Sequence, residues 1–396
     1  MKVLQINSVC GRGSTGRIAT DLADILRAHG EDCRIAYGRE TVLEHYRDIA
    51  VRIGNDWDVR WHGMETRLFD AHGFGSRKAT ERFLVWVREY DPDVIHLHNI
   101  HGYYINIELL FEFLKMAEKP VIWTLHDCWA FTGHCAYFTM AKCAQWKGRC
   151  AYCVQKNRYP QCILWSSVNR NFDRKRMAFQ GVQDMTLIAP SEWLAELTKE
   201  SFLNEYPVRV IPNGIDLTVF HPTKGNFRER YGIQNKKILL GVANVWDERK
   251  GLNDFVSLSS MLGYDFQIVL VGLSKRQKRE LPDEIIGIMR TSNPLELAEI
   301  YTAANVFVNP TYEDNFPTTN LEALACGTPV VTYRTGGSPE SVDESCGIVV
   351  EQSVEALAEA VKKTDFPEET CLRRARLFDK NMQFEKYMRL YENLRG

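Results

Sequence analysis

The sequence predicts an α/β protein built from two doubly wound domains. Three observations carry that expectation. Short β-branched runs recur along the chain with helical patterns between them, and the runs are apolar on both sides. The length of 396 residues is enough for two domains of roughly 150–200 residues each. Strands that are apolar on both faces belong to parallel sheets covered by helices.

In the first half, residues 3–6, 34–37, 94–98, 121–125 and 186–190 read as strands. In the second half, residues 208–211, 238–242, 267–271, 306–309, 330–333 and 348–350 do. The crossover falls in 191–222, where Pro212, Asn213 and Gly214 mark a turn at a strand end. The expected domains are therefore 1–190, with a Cys-rich insertion at 128–162, and 205–375. Residues 376–396 form a last helix, with Phe384, Tyr387, Met388, Tyr391 and Leu394 at helical spacing.

Apolar content of 45% and charged content of 25% are ordinary for a globular protein. A net charge of −2 gives no strong field for nucleic acid, so no nucleic-acid partner is expected. Residues 1–9 read as a strand rather than a leader, and no apolar run approaches the roughly 20 residues of a membrane span. The expectation is a cytoplasmic protein, with peripheral contact at the inner face of the membrane left open.

Chemistry concentrates in residues 312–332, YEDNFPTTNLEALACGTPVVT, which read as a loop, a short helix and a buried strand. Pro317 suits a first helical turn and Gly327 a helix stop. The free N–H groups of that helix, with Thr318 and Thr319, make a seat for an anionic phosphate. Asp314 and Glu322 supply carboxylates that accept hydrogen bonds from sugar hydroxyls. This segment resembles the acidic-pair motif of the retaining glycosyltransferases of family 4. There two glutamates are separated by seven residues; here Asp314 fills the first position, with Glu313 before it, and Glu322 the second.

The resemblance implies the GT-B fold, two Rossmann-like domains facing across a cleft, with a last helix crossing back to the first. It implies transfer of a hexose-type sugar from a nucleoside diphosphate sugar, with UDP or GDP as the base, to a hydroxyl acceptor with retention of configuration. It implies no cofactor for catalysis; the leaving phosphate assists attack on its own face. The acceptor is a saccharide or lipid-linked saccharide, and bacterial polysaccharide or lipopolysaccharide synthesis is the setting.

Other segments join the same reading. Gly11-Arg12-Gly13-Ser14-Thr15-Gly16 follows the first strand and formally matches a dinucleotide fingerprint, but no acidic residue ends the second strand. By resemblance, Gly13 and Ser14 contact the donor. His126 ends a strand, where its neutral form accepts a hydrogen bond and its cation stabilises a diphosphate. By resemblance it lies near the donor sugar; Asp127 beside it could orient the ring or position an acceptor hydroxyl, and His98 reads as lining the acceptor pocket or, with His96 and His101, as part of a metal site. In 246–251, WDERKG, a cation suits the charge developing on a leaving diphosphate. Lys250 matches the family's lysine, Asn244 stands where the family has arginine, and Arg249 offers a substitute. Gly272, Asn315, Phe316, Pro317 and Thr318 complete the donor contacts that the resemblance implies. His126, Lys250 and Asp314 are its catalytic set.

Six of the eleven cysteines fall in 128–162. Cys135, Cys143, Cys150 and Cys153 end in a CxxC pair, a spacing that allows a structural zinc site in a reducing compartment. Arg170, Arg174, Lys175 and Arg176 read as a basic cluster that could meet anionic lipid, or as a solvated helix face. Three alternatives stay open at this point: an NAD-dependent oxidoreductase, a sugar-nucleotide epimerase, and an inactive zinc-stapled interaction protein.

Overall fold

The structure, a computed structural model, describes residues 1–394. Contacts divide the chain into two compact units. One is Met1–Ile211 with the chain from Phe384 on; the other is Pro212–Gln383.

The first unit holds strands β1 (Lys2–Asn7), β2 (Asp32–Tyr37), β3 (Ala50–Arg52), β4 (Val94–Leu97), β5 (Val121–Thr124), β6 (Met185–Ala189) and β7 (Val208–Val210). They form one sheet in the order β3-β2-β1-β4-β5-β6-β7, every pair parallel. Alternate residues serve two cores. Leu4, Ile6, Leu97, Val121 and Leu187 pack on one face with Phe111 and Phe179. Val3, Ile35, Val94, Ile122 and Ile188 pack on the other with Leu22 and Leu26. That second core also takes Phe384, Tyr387, Met388 and Tyr391 from the helix Lys380–Leu394. Two phenols from this helix reach the sheet: Tyr391 Oη lies 2.6 Å from His96 Nδ1, and Tyr387 Oη lies 3.1 Å from Thr124 Oγ1.

The second unit holds β8 (Lys237–Val242), β9 (Phe266–Val271), β10 (Ile285–Ile288), β11 (Val306–Asn309), β12 (Val330–Tyr333) and β13 (Gly347–Val350). Its sheet is also parallel, in the order β10-β9-β8-β11-β12-β13. Strand order reverses between β1 and β4 in one sheet and between β8 and β11 in the other. Ligands of open α/β sheets bind beyond the carboxyl ends of the strands at such points.

Two details differ from the sequence reading. The run at 208–211 belongs to the first sheet, where Val208 pairs with Leu187, so the units divide at Ile211 and Pro212. A β-branched run announces a strand but not which sheet will take it. Strands β3 and β10 were not expected. One has only three residues and the other, IIGI, carries a glycine, so neither makes a distinct apolar run. Among the described residues, no helix is long and apolar enough to cross a membrane.

Candidate active site

The sequence-predicted residues fall into two clusters, one at the switch point of each sheet. In the second unit, the loop after β8 carries Asp247, whose side chain accepts from the Lys250 N–H at 3.1 Å and starts the single turn Glu248–Lys250. The loop after β11 lies beside it. Tyr312 N–H donates to the Arg249 carbonyl at 2.8 Å, and Arg249 Nη1 donates to the Glu313 carbonyl at 2.7 Å. These bonds set Lys250 Nζ directly against Asp314 Oδ2 in an ion pair that is largely shielded from water. The loop after β12 closes the cluster. A side chain at Gly336 would place its Cβ 1.7 Å from the Asp314 carbonyl oxygen, so only glycine lets these two backbones meet.

Past Asp314 the chain enters the helix Thr318–Ala325, with Pro317 at its N-cap rather than inside its first turn. Glu322 on this helix is 4% exposed, and its Oε2 accepts from Tyr301 Oη at 2.9 Å. Asn320 pins the helix through Asn309 at 2.8 Å and Ser341 at 2.9 Å.

Several assignments change here. The Phe316 side chain is buried against Phe378, with ring centroids 5.6 Å apart, so it packs the core and only its backbone borders the loop. Asn315 is likewise buried, while Thr318 lies at the helix start. Gly272 is required by a close approach to Ala243, whose carbonyl oxygen would lie 1.6 Å from an added Cβ. Arg249 is turned into tying two loops together, and Asn244 is exposed just beyond β8. The cationic group that faces Asp314 is Lys250.

In the first unit, Gly13 and Ser14 are exposed at the start of the helix Gly13–Ala28. His98 and His126 follow β4 and β5 and stack with rings 5.5 Å apart. His98 is 1% exposed, and its Nδ1 lies 3.2 Å from His126 Nε2. Burial lowers His98 well below the usual imidazole range and brings His126 down to about 4. Burial thus favours the neutral form of His126.

Asp127 accepts from His101 Nε2 at 3.0 Å and from the Trp129 N–H at 2.9 Å. Burial pushes its carboxyl up, but His101 and that N–H outweigh it and hold it below its ordinary value. His101 Nδ1 in turn meets Tyr159 Oη at 3.0 Å. Tyr159 belongs to the Cys-rich insertion, which thus contributes directly to this cluster. A cavity of about 10 Å³, room for one water molecule, lies among His98, His101, His126, Asp127 and Trp129.

Among the described residues, no three His, Cys, Asp or Glu side chains are grouped to hold a metal ion. Cys135 and Cys153 instead share a hydrogen bond, Cys150 Sγ accepts from the Gly133 N–H at 3.4 Å, and Cys143 is partly exposed. Two buried polar side chains hold the insertion in place. Asp70 Oδ1 bonds His134 Nδ1 at 2.6 Å, and its Oδ2 accepts from the Ser167 N–H at 2.9 Å. Lys175, 1% exposed, donates to the Trp129 and Thr132 carbonyls at 2.7 and 3.0 Å and lies 3.4 Å from the Trp129 ring centre. The basic run is thus no single patch: Lys175 is buried and Arg174 pairs with Glu108 at 2.6 Å. The spacing of Phe172, Lys175 and Phe179 on one helix face is the signal that could have found Lys175.

Two parallel doubly wound sheets, with a lysine–carboxylate pair at the second switch point, define the GT-B class of glycosyltransferase. Two family models match in succession. Residues 15–219 match Glycosyltransferase Family 4 and residues 223–366 match Glycosyl transferases group 1. The chain belongs to glycosyltransferase family 4 and is a glycosyltransferase. It is similar, at 24% identity over the full length of both chains, to the putative colanic acid biosynthesis glycosyl transferase WcaC of Escherichia coli (strain K12). Among solved structures, sucrose-phosphate synthase from Thermosynechococcus elongatus aligns over 99% of this chain and 98% of its own, with TM-score 0.75 and 19% identity. HepE from Anabaena, in complex with UDP-glucose, aligns over 99% of this chain and 100% of its own, with TM-score 0.68 and 13% identity. These structural likenesses show the fold.

Proposed function

We propose that the chain transfers a hexose from a UDP- or GDP-sugar to a hydroxyl of a saccharide or lipid-linked saccharide, retaining configuration and needing no catalytic metal. One observation carries this reading: the Lys250–Asp314 pair at the switch point of the second sheet, with Glu322 eight residues further on. Lys250 neutralises the departing diphosphate, Asp314 holds the donor sugar, and Glu322 receives the ribose. His126 accepts a hydrogen bond from a sugar hydroxyl, and Asp127 orients the acceptor side. The UDP-glucose held by HepE and the colanic acid pathway in the name of the Escherichia coli relative support a nucleotide-sugar donor and a bacterial surface polysaccharide.

A thermal-shift screen against UDP-, GDP-, ADP- and CDP-sugars, with NAD and NADP alongside, tests the donor. A ligand at 100 times its Kd is expected to add roughly 2.7 kcal/mol of stability. A shift with one sugar nucleotide supports the reading and names the base. A shift with NAD alone overturns it. NMR of the anomeric proton in the product then decides retention, and turnover undiminished by a chelator decides metal independence.

The proposed lipid-linked acceptor has a matching surface. Trp57, Trp61 and Met64 line one face of the helix Asp56–Phe69 and are 76%, 60% and 40% exposed. Phe69 stacks on Trp165 at 5.6 Å, beside exposed Ile163 and Leu164. Arg60 and Arg67 are exposed on the same helix. Tryptophans flanked by arginines suit the headgroup region of a bilayer, and we assign this surface to peripheral contact with anionic lipid. The chain is expected to sediment with phosphatidylglycerol vesicles. Replacing Trp57, Trp61 and Trp165 by Ser should release it, and undiminished binding of that folded variant would refute the assignment.

A further inference from the structure

The hydrogen-bond chain behind His126 determines which of its nitrogens carries the proton. It begins in β1, where register with β4 sets Gln5 opposite His96 and brings its side chain to His98. Gln5 is fully buried. Its Nε2 lies 2.9 Å from the Ala19 carbonyl and 3.3 Å from Cys33 Sγ. A carbonyl oxygen can only accept, so the NH₂ end of the amide faces the helix Gly13–Ala28 and the oxygen faces the opposite way. That oxygen lies 2.9 Å from His98 Nε2, which must therefore donate.

A neutral imidazole has one donor and one acceptor nitrogen. With Nε2 protonated, His98 Nδ1 holds the lone pair, and it lies 3.2 Å from His126 Nε2. His126 Nε2 must then carry the proton and donate. The lone pair of His126 is left on Nδ1. The His98 backbone is held as well, its carbonyl accepting from Trp123 Nε1 at 3.1 Å.

We propose that Gln5 and His98 are positioning residues that lock His126 in its Nε2–H tautomer, so that His126 Nδ1 meets the substrate as an obligate hydrogen-bond acceptor. The group it recognises is a hydroxyl, not a phosphate oxygen. The substrate part of this inference rests on the glycosyltransferase reading above; the tautomer does not.

The test is ¹⁵N NMR of histidine-labelled protein at rest, with the His126 signals identified by their loss in His126→Asn. The Nε2–H pattern is expected at His126. In Gln5→Leu the lock is lost, the two tautomers mix, and kcat/KM for the donor found by thermal shift falls about tenfold, the size of one hydrogen bond. Gln5→Glu is expected to invert the lock, because a buried carboxylate beside His98 Nε2 favours the His98 cation, whose Nδ1–H then donates to His126 Nε2 and moves the His126 proton to Nδ1. An Nδ1–H pattern in the unaltered protein overturns the proposal, and so does an unchanged tautomer in folded Gln5→Leu. Should Gln5→Leu not fold, the spectrum of the unaltered protein still decides. Because that spectrum needs no substrate, its failure is distinct from failure of the donor screen.

Discussion

Lys250→Ala is expected to lower turnover by about 10²- to 10³-fold, the usual loss on removing one donor aimed at developing charge. The resting structure shows why so large an effect should come with an intact fold. Lys250 Nζ reaches out of its loop to Asp314, while the loop is kept in shape by Asp247 and by backbone bonds to Tyr312. The substitution removes a charge and leaves its frame. Charge builds on the diphosphate only as the glycosidic bond breaks, so the loss should fall mainly on kcat. A purified variant with an unchanged melting curve and near-normal kcat would take Lys250 out of the mechanism.

Asp70→Ala is expected to destabilise the first unit by about 3–5 kcal/mol, the cost of leaving a buried polar partner without its charge. Both side chains of the Asp70–His134 pair are almost wholly shielded, at 1% and 0% exposure. Its other oxygen serves the Ser167 N–H at 2.9 Å, so one residue ties His134 near the start of the Cys-rich insertion to Ser167 just beyond its end. Denaturant unfolding measures the loss, and limited proteolysis locates it: new cleavage should concentrate in residues 133–166. A variant as stable as the parent and equally resistant would show that the cysteines, not Asp70, hold this segment.

Much of this architecture was legible because both sheets are buried on two faces. Strands such as β8, KILLGV, and β9, FQIVLV, are near-continuous hydrophobic runs, as strands covered on both faces should be. The second cluster was legible for a related reason. Asp314, Pro317, Glu322 and Gly327 are close in sequence, and each has a local job in the same loop, cap or helix. The first cluster was largely hidden. Gln5, His98 and His126 meet only through strand pairing, and Tyr159 arrives from an insertion with little periodicity. Asp70 and Lys175 look like surface charges in sequence, because burial of a charge depends on partners contributed from far away. The CxxC spacing points to metal, and spacing constrains which thiols could meet rather than whether they close a cage.

The helix segment from Phe384 on also sets an order of events. Residues 1–211 are synthesised well before it, separated by the whole of Pro212–Gln383. Until it arrives, one face of the first sheet lacks Phe384, Tyr387 and Tyr391, and His96 and Thr124 lack their phenol partners. His96 sits one turn of the pleat behind His98, so the strand that carries the tautomer chain is the one left unsupported. A nascent chain therefore cannot finish its first histidine cluster before it has made its second unit. A nick or early stop between the two leaves that half-core exposed.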